Sequence, residues 1–148
     1  MANHVRQQIR EQFGTTLNNL TTTGTRVYQS RVYPLATGGT PALLIYTKSE
    51  DSAPEVMGTN RLSTRNLIVA VEIYVKATSN FDDTIDTSAK EVEIAIASDP
   101  TLGGLAKDCF LESTEIDFNP EGEAPLAFAT LNFLTNYYVQ EQAPDVAV

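Results

Sequence analysis

The sequence has one cysteine, one histidine and no tryptophan in 148 residues. With Cys109 alone no intrachain disulfide can form, which fits a reducing compartment. Cys109 opens a predicted strand and reads as a small buried hydrophobe. His4 lies beside the terminus with no nucleophile near it in sequence. Ser/His/Asp and Cys/His catalysis both need a histidine held against its nucleophile. His4 therefore reads as a solvated terminal residue. Gly38-Gly39 and Gly103-Gly104 read as turns. Neither precedes Lys-Ser/Thr at phosphate-loop spacing, and no G-x-G-x-x-G occurs. No run approaches the ~20 apolar residues of a membrane span. The first residues are polar and lack an apolar signal core. The length suits one domain and needs no metal or disulfide to fold. We expect that domain over 1–139 and a disordered acidic tail over 140–148.

Positive charge is also scarce. The net charge is −9, a poor grip for phosphate backbones. Residues 1–77 carry eight basic and five acidic side chains, and residues 78–148 carry two and fourteen. One reading is a protein with a solvated acidic half. The sharper reading is a subunit whose two sides complement each other head to tail.

What is present is clear periodicity. Val5, Ile9, Phe13, Leu17 and Leu20 form one apolar stripe of a helix over 3–20, with Asn3 as N-cap. Gly14 weakens that helix by about 1 kcal/mol relative to Ala. A strand follows over 26–35, ended by Pro34, then a turn, then an apolar strand over 42–47. Residues 49–60 have no periodicity and read as an exposed loop. Residues 61–77 form a long strand, with Leu67, Val69, Val71, Ile73 and Val75 on one face. Asn80 caps a helix over 81–98 whose buried stripe is Phe81, Ile85, Ala89, Val92 and Ile96. Residues 109–118 form a strand with Phe110, Ile116 and Phe118 on one face. Residues 124–139 form the last strand. The predicted class is α+β: a mainly antiparallel or mixed sheet of about five strands with two helices packed on it, order α-β-β-β-α-β-β.

Asp82, Asp83 and Asp86 spell D-D-x-x-D, a spacing that can bind Mg²⁺ with a diphosphate. At a helix start, carboxylates also complement the helix dipole, and that is the better account. A divalent ion at a subunit contact is the alternative. Glu121 and Glu123 lie in the turn 119–125, and nothing singles them out as an acid/base pair. No cofactor or metal is predicted. Arg26, Arg31, Arg61 and Arg65 flank strands, either as a basic face for an acidic partner or as ordinary solvated positions. With Tyr33, the loop residues Glu50, Asp51 and Glu55, and the acids named above, they are the interface candidates.

The amphipathic N-terminal helix leads into Arg26-Val-Tyr and Arg31-Val-Tyr-Pro-Leu35, then Thr40-Pro-Ala-Leu-Leu-Ile-Tyr46. An acidic loop, a long strand, a helix and two closing strands follow. In element order and local phrasing this resembles the tail terminator (minor tail protein) family of long-tailed, lambda-like siphophages. The resemblance covers nearly the whole chain and transfers no functional residue one by one. It implies a virion structural protein and not an enzyme. Copies of the chain would form a ring, a hexamer, at the head-proximal end of the tail. The ring would cap the tail tube protein, stop its polymerisation and offer a surface to the head-side connector or neck protein. DNA would pass through the lumen without specific binding, and no membrane is involved. The alternatives are another neck, tail-completion or tube-like virion protein, or a small ligand-binding or hydrolytic α+β domain.

Overall fold

The computed structural model describes residues 2–29, 41–76, 80–119 and 126–148. Helix α1 is Val5–Thr16 and α2 is Phe81–Ala97. The strands are β1 Val27–Tyr28, β2 Ala42–Pro54, β3 Leu62–Lys76, β4 Asp108–Asn119 and β5 Leu126–Gln140. Among the described residues these five form one sheet in the order β1-β2-β3-β5-β4. β1 runs parallel to β2, and every other pair is antiparallel. The predicted class and element order hold.

Both helices lie on one face of the sheet. The reason is the alternation in β3: Leu67, Val69, Val71 and Ile73 are fully buried beneath them. Their cross-strand partners continue the layer, with Ile45 and Leu131 opposite Val71 and Phe133 opposite Val69. The α1 stripe of Val5, Ile9, Phe13 and Leu17 is fully buried against this layer, and Leu20 packs on it partly buried. Phe13 meets Phe133 edge to face, with ring centroids 5.7 Å apart, a favoured aromatic geometry. In α2, Ile85, Val92 and Ile96 point inward with Ser88, while Phe81 and Ala89 are half-buried at the margin. The other face has a smaller cluster of Ala42, Leu44 and Tyr74, joined by Tyr28, Leu126 and Phe128.

The structure corrects several boundaries. The N-cap of α1 is His4, not Asn3; its Nδ1 accepts from the Arg6 amide at 3.0 Å. The helix stops at Thr16, and Asn19 turns the chain with φ 66°. Asn80 caps α2 in a left-handed conformation, φ 64°, without a side-chain cap bond. Of the strand expected over 26–35, Val27–Tyr28 is described, and positions 30–40 lie outside the described residues.

The expected loop 49–60 is partly strand. β2 runs on to Pro54, paired with Ser63, so the turn proper is 55–61. Alternation fades there because both faces of this extension meet solvent, and pairing with β3 maintains the strand instead. Nor is the tail free. The Pro144 carbonyl accepts from the Val5 amide at 2.9 Å, which satisfies a helix-terminal donor that α1 cannot. Gln8 Nε2 donates to the Asp145 carbonyl at 2.9 Å, and the Val148 amide donates to Tyr138 at 3.0 Å. Residues 141–148 are therefore tied to α1 and β5 rather than disordered.

Two bulges re-aim side chains. Between Leu111 and Ser113 the β4 register shifts by one residue. Phe110 stands opposite Leu134, while Ile116 stands opposite Ala129, which is buried on the helix side. Phe110 therefore faces away from Ile116 and Phe118, contrary to the expected common face. An extra residue inserted into one strand inverts the pleat beyond it. Between Thr47 and Ser49 the same device acts on β2.

Candidate interaction surfaces

The β2 bulge brings Glu50 opposite Leu67, onto the helix side of the sheet. Its side chain is only 8% exposed. It forms a close ion pair with Arg6 of α1, lies 3.6 Å from Arg65 Nη1, and accepts a short hydrogen bond from the Tyr137 hydroxyl. Burial and the Glu50 carboxylate together hold the Tyr137 phenol well above its ordinary range. Glu50 and Arg65 thus clamp α1 to the sheet. Sequence reasoning did not connect Tyr137 to Glu50, because they are brought together only by β3 lying between β2 and β5.

His4 stands at the edge of this clamp. Its pKa is lowered, first by burial and then by the Arg6 guanidinium, and the neutral ring is the form that can accept at Nδ1. Arg26 is committed to backbone carbonyls, with Nε donating to Pro41 at 2.8 Å and Nη2 to Thr22 at 3.0 Å.

Beyond the clamp, the exposed end of β2 and the turn 55–61 form a hairpin arm along the sheet edge, while β3 stays paired with β5 as far as Leu62. Residues 51–60 are exposed without interruption, Asp51 and Glu55 among them. Glu55 accepts from Thr64 Oγ1, and Arg61 pairs loosely with Glu141 at 3.5 Å. At the tip stand Val56 and Met57, the latter 89% exposed. This apolar pair inside a polar segment was the available sequence signal for the tip, and it was not singled out.

The opposite side of the molecule is acidic. Asp82 and Asp83 occupy the first turn of α2, and Asp86 is exposed one turn on. Phe81 stacks on Phe118 with centroids 5.4 Å apart, so this helix start sits beside the far end of β4. Arg31, Tyr33, Glu121 and Glu123 lie outside the described residues. Among the described residues no group of three or more His, Cys, Asp or Glu side chains is placed to hold a metal ion, and no helix is long and apolar enough to cross a membrane.

Cys109 is buried, with its Sγ 3.4 Å from Thr135 Oγ1, and burial pushes the thiol up to about 11. Clefts of about 200, 210, 260 and 300 Å³ line the surface. They sit at or below the low end of ligand pockets, roughly 300–1,000 Å³. The largest of these four lies between Gly14, Asn18 and Gln29.

These features define an α+β sheet with helices on one face, an exposed hairpin arm and an acidic edge. Among solved structures, the chain is similar to one in the "Virion of native gene transfer agent (GTA) particle". The two are 15% identical, with a TM-score of 0.39 over 92% of each chain. No protein-family model and no curated protein matches the sequence.

Proposed function

We propose that this chain is a structural subunit of a phage-like virion: a tail terminator whose copies form a ring on the end of the tail tube. The observation that carries the reading is the hairpin arm. Ten consecutive residues, 51–60, are exposed where a strand whose first half is core runs out into its turn, and they include the exposed Val56-Met57 pair. Exposed loop tips on a rigid scaffold are where partner contacts concentrate, and this apolar pair sits on one. The order of elements and the phrasing around Arg26 and Ala42–Tyr46 support the same family.

The mechanism is surface capping. One face of the ring binds the tube end, through the arms, and the other offers no site for a further tube ring. Head-side attachment then uses that second face. The interface residues on the described chain are Asp51, Glu55 and Arg61 on the arm, with Asp82, Asp83 and Asp86 at the acidic edge. Glu50 and Arg65 serve the arm indirectly, by fixing its base.

The test is polymerisation of the tube protein with and without this chain, followed by negative-stain microscopy. The reading predicts shortened tubes with a ring at one end. Tubes of unchanged length, together with a chain that stays monomeric alone and with tube protein, overturn it. If the chain itself polymerises into tubes, it is a tube subunit instead.

A further inference from the structure

The charge asymmetry of the sequence becomes, in the fold, an asymmetry between the two ends of one sheet. β4 ends the sheet order on one side and β1 on the other. β4 carries Asp108, Glu112, Glu115 and Asp117 and no basic residue, and all four acids are exposed. The same strand exposes large apolar side chains: Ile116 is 62%, Phe110 49% and Phe118 46% exposed. Because the bulge at Glu112 inverts the pleat, these apolar groups emerge on both faces of the edge. Beside them, a cleft of about 210 Å³ opens between Glu93 and Ala97 of α2 and Phe110 and Leu111 of β4. A long terminal strand with apolar residues on both faces is an association hazard unless something covers it.

The other end carries acids as well, Glu11 on α1 and Glu50 and Asp51 on β2, but also basic side chains without an ion-pair partner among the described residues. Arg6 of α1 reaches Glu50 on β2, and a Cβ at Gly14 would come 2.7 Å from Gln29 Nε2, just past β1. Arg10 lies between Arg6 and Gly14 on that helix face, so it too looks toward the β1/β2 end. Its Nε is buried without a hydrogen-bond partner, and neither Arg10 nor Lys48 has a carboxylate within ion-pair distance among the described residues. Lys48, the bulge residue of β2, is exposed and lines a surface cleft with Arg6.

We infer that the β4 edge of one copy packs against the α1/β2 end of the next, with Glu112, Glu115 and Asp117 facing Arg10 and Lys48 and with Ile116 and Phe118 covered on the helix-side face of the same edge. The occupant is a second copy because this chain itself bears the complementary charge at the opposite end of the sheet. Two different patches in contact make a heterologous interface, which closes into a ring when the rotation per subunit permits. Opposed charge sets register and excludes the reversed pairing of like edges. The inference deepens the ring reading and rests on it.

Charge reversal tests it. One variant carries Glu112→Lys, Glu115→Lys and Asp117→Lys; the other carries Arg10→Glu and Lys48→Glu, or Lys48→Glu alone if the pair unfolds. Each is checked for folding by its thermal transition, and its mass in solution is compared with that of the wild-type chain. Each variant alone should lose assembly where the wild type assembles, because both of its ends now carry the same sign. Mixed in equal amounts they should regain it, as an alternating oligomer. Reversed variants that assemble singly like the wild type, or a mixture that stays monomeric, overturn this interface while leaving the ring reading intact. A wild-type chain that is monomeric alone and with tube protein overturns both.

Discussion

The two halves of β2 do different work on one continuous strand. Ala42–Ile45 is fully buried, with side chains packed on both faces of the sheet. Asp51–Pro54 is exposed on both. The bulge at Lys48 and the Glu50 clamp lie between them. The buried half answers to packing, so its sequence is apolar and legible. The exposed half meets solvent on both faces, so its sequence shows no periodicity of its own. A strand can therefore be buried scaffold at one end and open surface at the other, with one buried carboxylate marking the change.

The comparison can be broken most strongly from the buried side. Phe13→Ala should cost about 3–5 kcal/mol by denaturant unfolding, since it empties a fully buried site against Phe133. Met57→Ala, at the arm tip, should stay within about 0.5 kcal/mol of the wild type. Comparable losses at the two sites would show that the arm is part of the folded core. The boundary itself should give an intermediate value. Glu50→Gln leaves Arg65 and the Tyr137 hydroxyl with a weaker acceptor, and should cost about 1–3 kcal/mol. Tyr137→Phe should cost about 1 kcal/mol. A neutral Glu50→Gln would mean that the clamp does not fix α1 to the sheet.

Smaller effects come from titration. His4 folds with its pKa below 6.5, so the unfolded chain takes up the proton first as pH falls. Stability then rises with pH across that window. The His4 contribution is intact above 6.5 and is lost as pH falls from 6.5 through the folded value. His4→Asn, which keeps a capping acceptor, should remove that part of the pH dependence; an unchanged difference between pH 5 and 7, roughly the histidine window, would assign it elsewhere. Cys109 should give the smallest signal. With its thiol pushed up to about 11 and buried, it should resist alkylation at neutral pH until the chain unfolds, and prompt labelling of folded protein would contradict the described packing.

Much of this fold was legible because burial imprints periodicity. The α1 stripe and the odd positions of β3 lie where their spacing put them. The bulges were not legible, because an extra residue such as Lys48 or Glu112 leaves no mark in the sequence of its own strand. Missing them put Phe110 on the wrong face and left Glu50 in a loop. The tail was misjudged for another reason. Pro144 and Asp145 bind α1 through backbone carbonyls, which every residue possesses. Of the candidate surface, the acidic D-D-x-x-D start of α2 was visible, whereas the meeting of Arg6, Glu50, Arg65 and Tyr137 depends on which strands become neighbours.

The most direct measurement replaces the tip, residues 55–60, with a two-residue turn and leaves Glu50 and the clamp in place. The variant should unfold at the wild-type midpoint and form the wild-type oligomer, yet fail to shorten tubes of the tail tube protein. A tipless chain that caps tubes as well as the wild type would contradict the claim that the exposed half of β2 and its hairpin are the contact.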